Sequence, residues 1–172
     1  MERYIHDDNP FEDPDYELSQ HDCEKIVGYE IMIVPFDRVH DIDNVDDLFI
    51  NNCSLVNYLQ TEHSGHWVAM FRDNDTITYF DPCGNFIDEI NANRSIAHQD
   101  KPYILDLLME SGYNVRCNDY SFQEGSSTCG RWSSYFLRCA HMGEEAFKFA
   151  FEGRKKRDIL ITMITADILN SP

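Results

Sequence analysis

HSGHWVAMFRDNDTITYFDPCG, residues 63–84, reads as a β-hairpin with a polar hinge. Trp67 to Arg72 is apolar on both faces, and Thr76 to Phe80 is rich in β-branched and aromatic residues. Asp73, Asn74 and Asp75 between them are turn formers. A loop centred between Asp73 and Asn74 sets His66 directly opposite Asp81, with Cβ atoms roughly 5 Å apart. A three-residue loop shifts the pairing by one but leaves both side chains at the same end of the hairpin. An imidazole beside a carboxylate is held in one tautomer and made more basic. The same pair also reads as a satisfied polar contact at a sheet end.

The rest of the chain gives this hairpin its frame. With 172 residues, 42% of them hydrophobic, there is enough apolar material for one domain with a real core. No apolar run reaches the roughly eighteen residues of a membrane span, and MERYIHDDNPFEDPDYELSQ lacks the basic flank and apolar stretch of a signal peptide. Cys23, Cys53, Cys83, Cys117, Cys129 and Cys139 include no CxxC pair, which argues against a zinc ribbon or a thioredoxin-type motif and for free thiols in a reducing compartment. His63 and His66 with Cys83 fall short of a full ligand set, so neither a metal nor another cofactor is expected.

The net charge is −17, and residues 1–130 carry 26 of the 31 acidic side chains. Such a body repels nucleic acid and attracts basic partners. Nine of those acids lie in residues 1–24, an arm that is either poorly ordered or strapped over the domain. GRKKRD, residues 153–158, reads as a solvated loop and helix start in preference to a nucleic-acid or localisation signal.

Strands are expected at Tyr29 to Val34, Ser54 to Gln60 and Val115 to Tyr120. Asp43 caps a short acidic helix to about Ile50; Asn85 to Asn93 is expected to be helical, and Pro102 starts a helix through Glu110 closed by Gly112. Cys129 to Met142 carries Trp132, Tyr135, Phe136 and Cys139 on one stripe with Gly143 as its stop; Glu144 to Phe151 and Arg157 to Leu169 follow as helices. This is an α+β pattern: a small mixed or antiparallel sheet flanked by helices, with Cys129 at the N-terminus of a central helix.

SFQEGSSTCGRWSSYFLRCA, residues 121–140, is the second constellation. A strand ends, a loop of small residues follows, and Cys129 opens a helix with Gly130 behind it. The positive end of the helix dipole favours a thiolate, and Gly130 allows a substrate backbone to approach closely. The amide at the helix start is a candidate oxyanion donor, and the Gln123 side chain a second. A Cys-Gly at a helix start is also compatible with a purely structural cysteine.

In the order GHW, FDPCG, Gln123 and TCG, the chain resembles the adenovirus-type and Ulp1-like cysteine proteases over about residues 29–142. Papain-like enzymes run Cys, His, Asn and are excluded by order. The resemblance implies a catalytic set of His66, Asp81, Gln123 and Cys129, with Trp67 and Gly130 binding substrate. It implies one protease domain over residues 1–172, with an acidic arm (1–24), a catalytic core (29–142) and C-terminal helices (143–172). GHWVA and DPCG look most like the maturation proteases of virophages, polinton-like elements and large DNA viruses, which cleave capsid or core precursors next to glycine. That likeness implies work in the host cytoplasm or virus factory, with packaging in the virion. The Ulp1 branch, which releases ubiquitin-like modifiers, and acetyltransferases of the same fold are the alternatives. Adenovirus-type enzymes are linked to DNA and a peptide cofactor, neither of which this sequence requires.

Overall fold

The hairpin is the middle of a five-stranded sheet. β3 (Gly65–Asp73) pairs antiparallel with β4 (Thr76–Phe80) and, on its other side, with β2 (Cys53–Leu59); β1 (Met32–Pro35) and β5 (Asn114–Cys117) add in parallel at the edges. The computed structural model describes residues 9–90, 92–140 and 144–172, with backbone alone for 144–146.

The hairpin loop is Asn74–Asp75, since Asp73 pairs with Thr76. Asn74 takes φ 52°, the left-handed conformation its short polar side chain tolerates in a two-residue turn. Phe80 therefore pairs with Ala69, whereas a loop centred between Asp73 and Asn74 would pair it with Trp67. The slip is by an even number of residues, so every side chain keeps its expected face. Asp81 leaves the ladder just past β4 and meets His66 on a diagonal rather than directly across.

Each sheet face carries its own core. On one, Cys53, Leu55, Trp67, Ala69 and Phe80 pack against α3 (Cys129–Arg138), α1 (Gln20–Val27), α4 (Glu144–Phe151) and α5 (Arg157–Leu169), with Phe80 stacked on Phe136 at 4.4 Å between ring centroids. On the other, Val56, Val68, Met70, Ile77 and Tyr79 meet Ile104 and Leu108 of α2 (Tyr103–Glu110) and the short 3-10 helices Phe36–Asp41 and Val45–Leu48. The expected mixed sheet flanked by helices is what forms.

Several boundaries move for identifiable reasons. Asn44, not Asp43, caps the 3-10 helix Val45–Leu48. No helix forms over 85–90: Gly84 and Asp88 both take positive φ, 74° and 61°, which interrupts helical backbone. The strand expected to reach Tyr120 stops at Cys117, because Asn118 turns inward to bond Asp81. α3 ends at Arg138, short of Met142; Met142 and Gly143 lie outside the described residues.

Within the acidic segment, Ser19 and Asp22 form a reciprocal capping box that starts α1, and Gly28 ends it at φ 87°. α1 packs on α3 and α5. The Lys25 ammonium donates to the carbonyl oxygens of Leu169 (2.7 Å) and Ser171 (2.9 Å). The buried Arg131 guanidinium donates to the Asp13 carbonyl at 3.3 Å and to the Thr165 hydroxyl at 2.8 Å, joining residues 9–27, α3 and α5. Among the described residues no helix is long and apolar enough to cross a membrane.

Candidate active site

β3 delivers His66 and Trp67 to the sheet end where α3 begins. Both polar groups of the Trp67 peptide backbone are used to hold the helix there: its N–H donates to Cys129 Sγ at 3.5 Å, and its carbonyl accepts the Ser133 hydroxyl at 2.9 Å. Cys129 and Ser133 are one helical turn apart, so a single strand residue fixes the first turn of α3 against β3. Gly130 follows from the same contact. A Cβ on Gly130 would stand 3.2 Å from Trp67 Cδ1 and 3.3 Å from Cys23 Sγ. Gly130 lines the groove, and its lack of a side chain also favours this close helix–strand packing.

His66 is buried at 6% exposure, and its Nε2 lies 2.9 Å from Oδ1 of Asp81, which is fully buried. That leaves Nδ1 for the Cys129 side chain, which stands close enough to act on the imidazole. Burial alone would push the His66 pKa down. The hydrogen bond to Asp81, the neighbouring Cys129 side chain and the negative charge of Asp81 outweigh it, raising the imidazole from 6.5 to about 10. The protonated form of the imidazole is therefore favoured in this site, beside the Asp81 carboxylate.

Asp81 is itself held on several sides. Oδ1 accepts the Cys83 amide at 2.8 Å, and Oδ2 accepts the Asn85 side-chain amide at 3.2 Å. Asn118 grips its backbone, accepting the Asp81 N–H at 2.9 Å and donating to the Asp81 carbonyl at 2.6 Å. Asn118 carried no signal in the sequence, because a buried amide that bonds main chain 37 residues away leaves no local pattern.

Gln123 reaches the same place along the extension of β4. The Phe122 and Gln123 amides both donate to the Pro82 carbonyl, at 2.8 and 3.0 Å, which brings the Gln123 side chain beside Cys83. Its Oε1 accepts the Cys83 thiol at 3.4 Å and its Nε2 donates to the Ser126 carbonyl at 2.5 Å. One of the two amide N–H groups is thus engaged by the loop, leaving the second for a ligand. The Thr128 hydroxyl, at the N-cap of α3, makes no capping bond; it donates instead to Asp158 at 2.9 Å. The amides of the first helical turn therefore receive no bond from this side chain.

His66, Trp67, Cys83, Gln123, Cys129 and Gly130 all line one groove of about 460 Å³, with Leu18 and Gly65 at its sides. All six residues singled out in the sequence meet here: five line the groove, and Asp81 stands behind His66. His66, Asp81 and Cys83 also bring ligand-type atoms within 4.8 Å of one another. Each of these groups is already in a hydrogen bond of the site, and His63 stands outside the cluster. Burial and the negative charges of Asp81 and Cys129 push the Cys83 thiol up to about 12, which disfavours the deprotonated form a metal would need.

GRKKRD divides in two. Arg154, Lys155 and Lys156 are exposed, as a solvated loop requires, whereas Arg157 Nε donates to the Phe122 carbonyl at 3.0 Å and Asp158 is buried. The last two residues of the run thus belong to the support of the site, a role its charge pattern concealed.

No protein-family model and no curated protein sequence matches the chain. Similar solved structures are of the SUMO protease Ulp1. One, with the catalytic cysteine oxidised to a sulfinic acid, is 17% identical, covering 92% of this chain and 80% of that one, at TM-score 0.46. Another is the C-terminal Ulp1 protease domain in complex with SMT3, the yeast ortholog of SUMO; it is 15% identical, covering 92% of this chain and 78% of that one, at TM-score 0.48.

Proposed function

We propose that this chain is a cysteine endopeptidase that cleaves peptide bonds next to glycine and processes capsid or core precursors of a virus during maturation. The observation that carries the reading is the 2.9 Å bond of His66 to buried Asp81, with His66, Cys129 and Gln123 lining the same groove. His66 takes the Cys129 proton and the thiolate attacks the scissile carbonyl. The Cys129 amide and the second N–H of Gln123 hold the tetrahedral oxyanion. His66 then protonates the leaving amine, and water hydrolyses the thioester to free the second product and the thiol. Asp81 keeps the ring oriented and stabilises its cation. A glycine beside the scissile bond suits a groove lined by Trp67 and Leu18, where the bulk of both side chains favours a residue without Cβ. The viral substrate rests on the likeness of GHWVA and DPCG to maturation proteases.

The test is to mix the purified protein with the structural proteins encoded beside its gene and to sequence the new N-termini, with Cys129→Ala as control. New termini at glycine that are absent from the control are expected. Release of a ubiquitin-like tail at Gly-Gly, with the structural proteins left intact, would replace this reading by deconjugation.

A further inference from the structure

Asp158 lies in the first turn of α5, yet it is 5% exposed and its carboxylate faces the loop between Gln123 and Cys129. Oδ1 accepts the Thr128 hydroxyl at 2.9 Å and the Trp132 indole N–H at 3.2 Å. Oδ2 accepts the amides of Gly125 (3.1 Å) and Ser126 (3.0 Å), and the Glu124 amide sits between the two oxygens at 3.2 and 3.1 Å. In return, the Asp158 amide donates to the Glu124 carboxylate at 3.2 Å. Four donors from one short segment, and a fifth from Trp132 of α3, converge on one side chain. The segment Glu124-Gly-Ser-Ser-Thr128 has no large apolar side chain of its own, so hydrogen bonds must determine its path. Its ends are Gln123 and Cys129.

We propose that Asp158 is a positioning residue for the chemistry of this site: it sets the loop so that the Gln123 side-chain amide and the Cys129 main-chain amide converge on one point. The proposal rests on the cysteine-peptidase reading. Two consequences of the geometry go beyond holding the fold together. By taking the Thr128 hydroxyl, Asp158 removes the side chain that would otherwise cap the first-turn amides of α3, and so leaves them to a ligand. By fixing the Ser126 amide, it also fixes the Ser126 carbonyl that anchors Gln123 Nε2. α5 thereby becomes part of the catalytic apparatus, although none of its residues lines the groove.

Asp158→Asn keeps the shape but places an amide NH₂ among five donors. The expected result is a fall of about a hundredfold in kcat on a glycine-containing peptide, with KM within about threefold, as for a displaced oxyanion site. Iodoacetamide separates positioning from general loosening, because its displacement at a tetrahedral carbon develops no oxyanion. Its rate with Cys129 should stay within about twofold of the parent. Parental kcat in Asp158→Asn overturns the proposal, as does a loss of iodoacetamide reactivity in step with kcat. Should Asp158→Asn fail to fold, Thr128→Val and Trp132→Phe, which each delete one donor, decide the matter: a several-fold fall in kcat at parental iodoacetamide reactivity supports it, and parental kcat in both overturns it. Failure of the underlying reading would look different, as turnover retained in Cys129→Ala.

Discussion

In the proposed mechanism each residue of the site has its own task, so single substitutions should rank by task. Cys129→Ala should abolish turnover, since the proposed thioester forms on this side chain. His66→Ala comes close, since both thiolate formation and leaving-group protonation fail. Gln123→Ala leaves the main-chain donor and costs roughly a hundredfold in kcat, about 3 kcal/mol. Asp81→Asn lies between them, through loss of the tautomer it enforces. Peptide cleavage by the four variants, after their melting temperatures are matched to the parent, checks the order. The imidazole also sets a pH limit. Its pKa is raised in the folded state, so the stability it contributes is fully present below 6.5 and is lost as pH rises through about 10. Cleavage should fall over the upper part of that window as His66 loses the proton it gives to the leaving amine. Asp81→Asn removes one cause of the upward shift, so its alkaline limb should lie at lower pH; kcat followed from neutrality to roughly pH 11 would show whether it does.

At the scale of elements, the site is a junction where the end of one hairpin meets the start of one helix, and its stability depends on polar clamps to main chain. Asn118→Ala deletes both bonds to the Asp81 backbone and should destabilise the protein by about 1–3 kcal/mol while lowering kcat, to be read from denaturant midpoints and initial rates. These elements differ in how plainly the sequence announces them. The hairpin and the helix start at Cys129 were legible because turn formers and apolar runs are local signals. The register was not, because Asp73, Asn74 and Asp75 all suit a turn and only the folded strands decide which pair occupies it. The start of α1 was not legible either: Ser19-x-x-Asp22 is a capping box with aspartate in the place of glutamate, inside a run whose acidity suggested an arm. Asn118, Ser133 and Asp158 were illegible for a common reason. Each serves main-chain or side-chain atoms between 26 and 66 positions away, and such pairing has no periodicity to detect.

Across the whole molecule, charge and function separate. The exposed cations Arg154, Lys155 and Lys156 touch nothing in the groove, so their joint replacement by serine should leave kcat/KM within about twofold and abolish no stimulation by DNA; a large DNA-dependent rate lost in that variant would reassign them. Arg157 must be spared in that test, because its bond to the Phe122 carbonyl supports the Gln123 segment. The sheet carries one more consequence at this scale. Both of its edges are four-residue strands, one ending in Pro35 and the other exposing Asn114 and Arg116. Edges that short, closed by a proline or carrying a cation, offer little template for another chain to dock as an extra strand. Crowded among many copies of itself or of unfolded precursor, the protein should resist recruitment into β-aggregates.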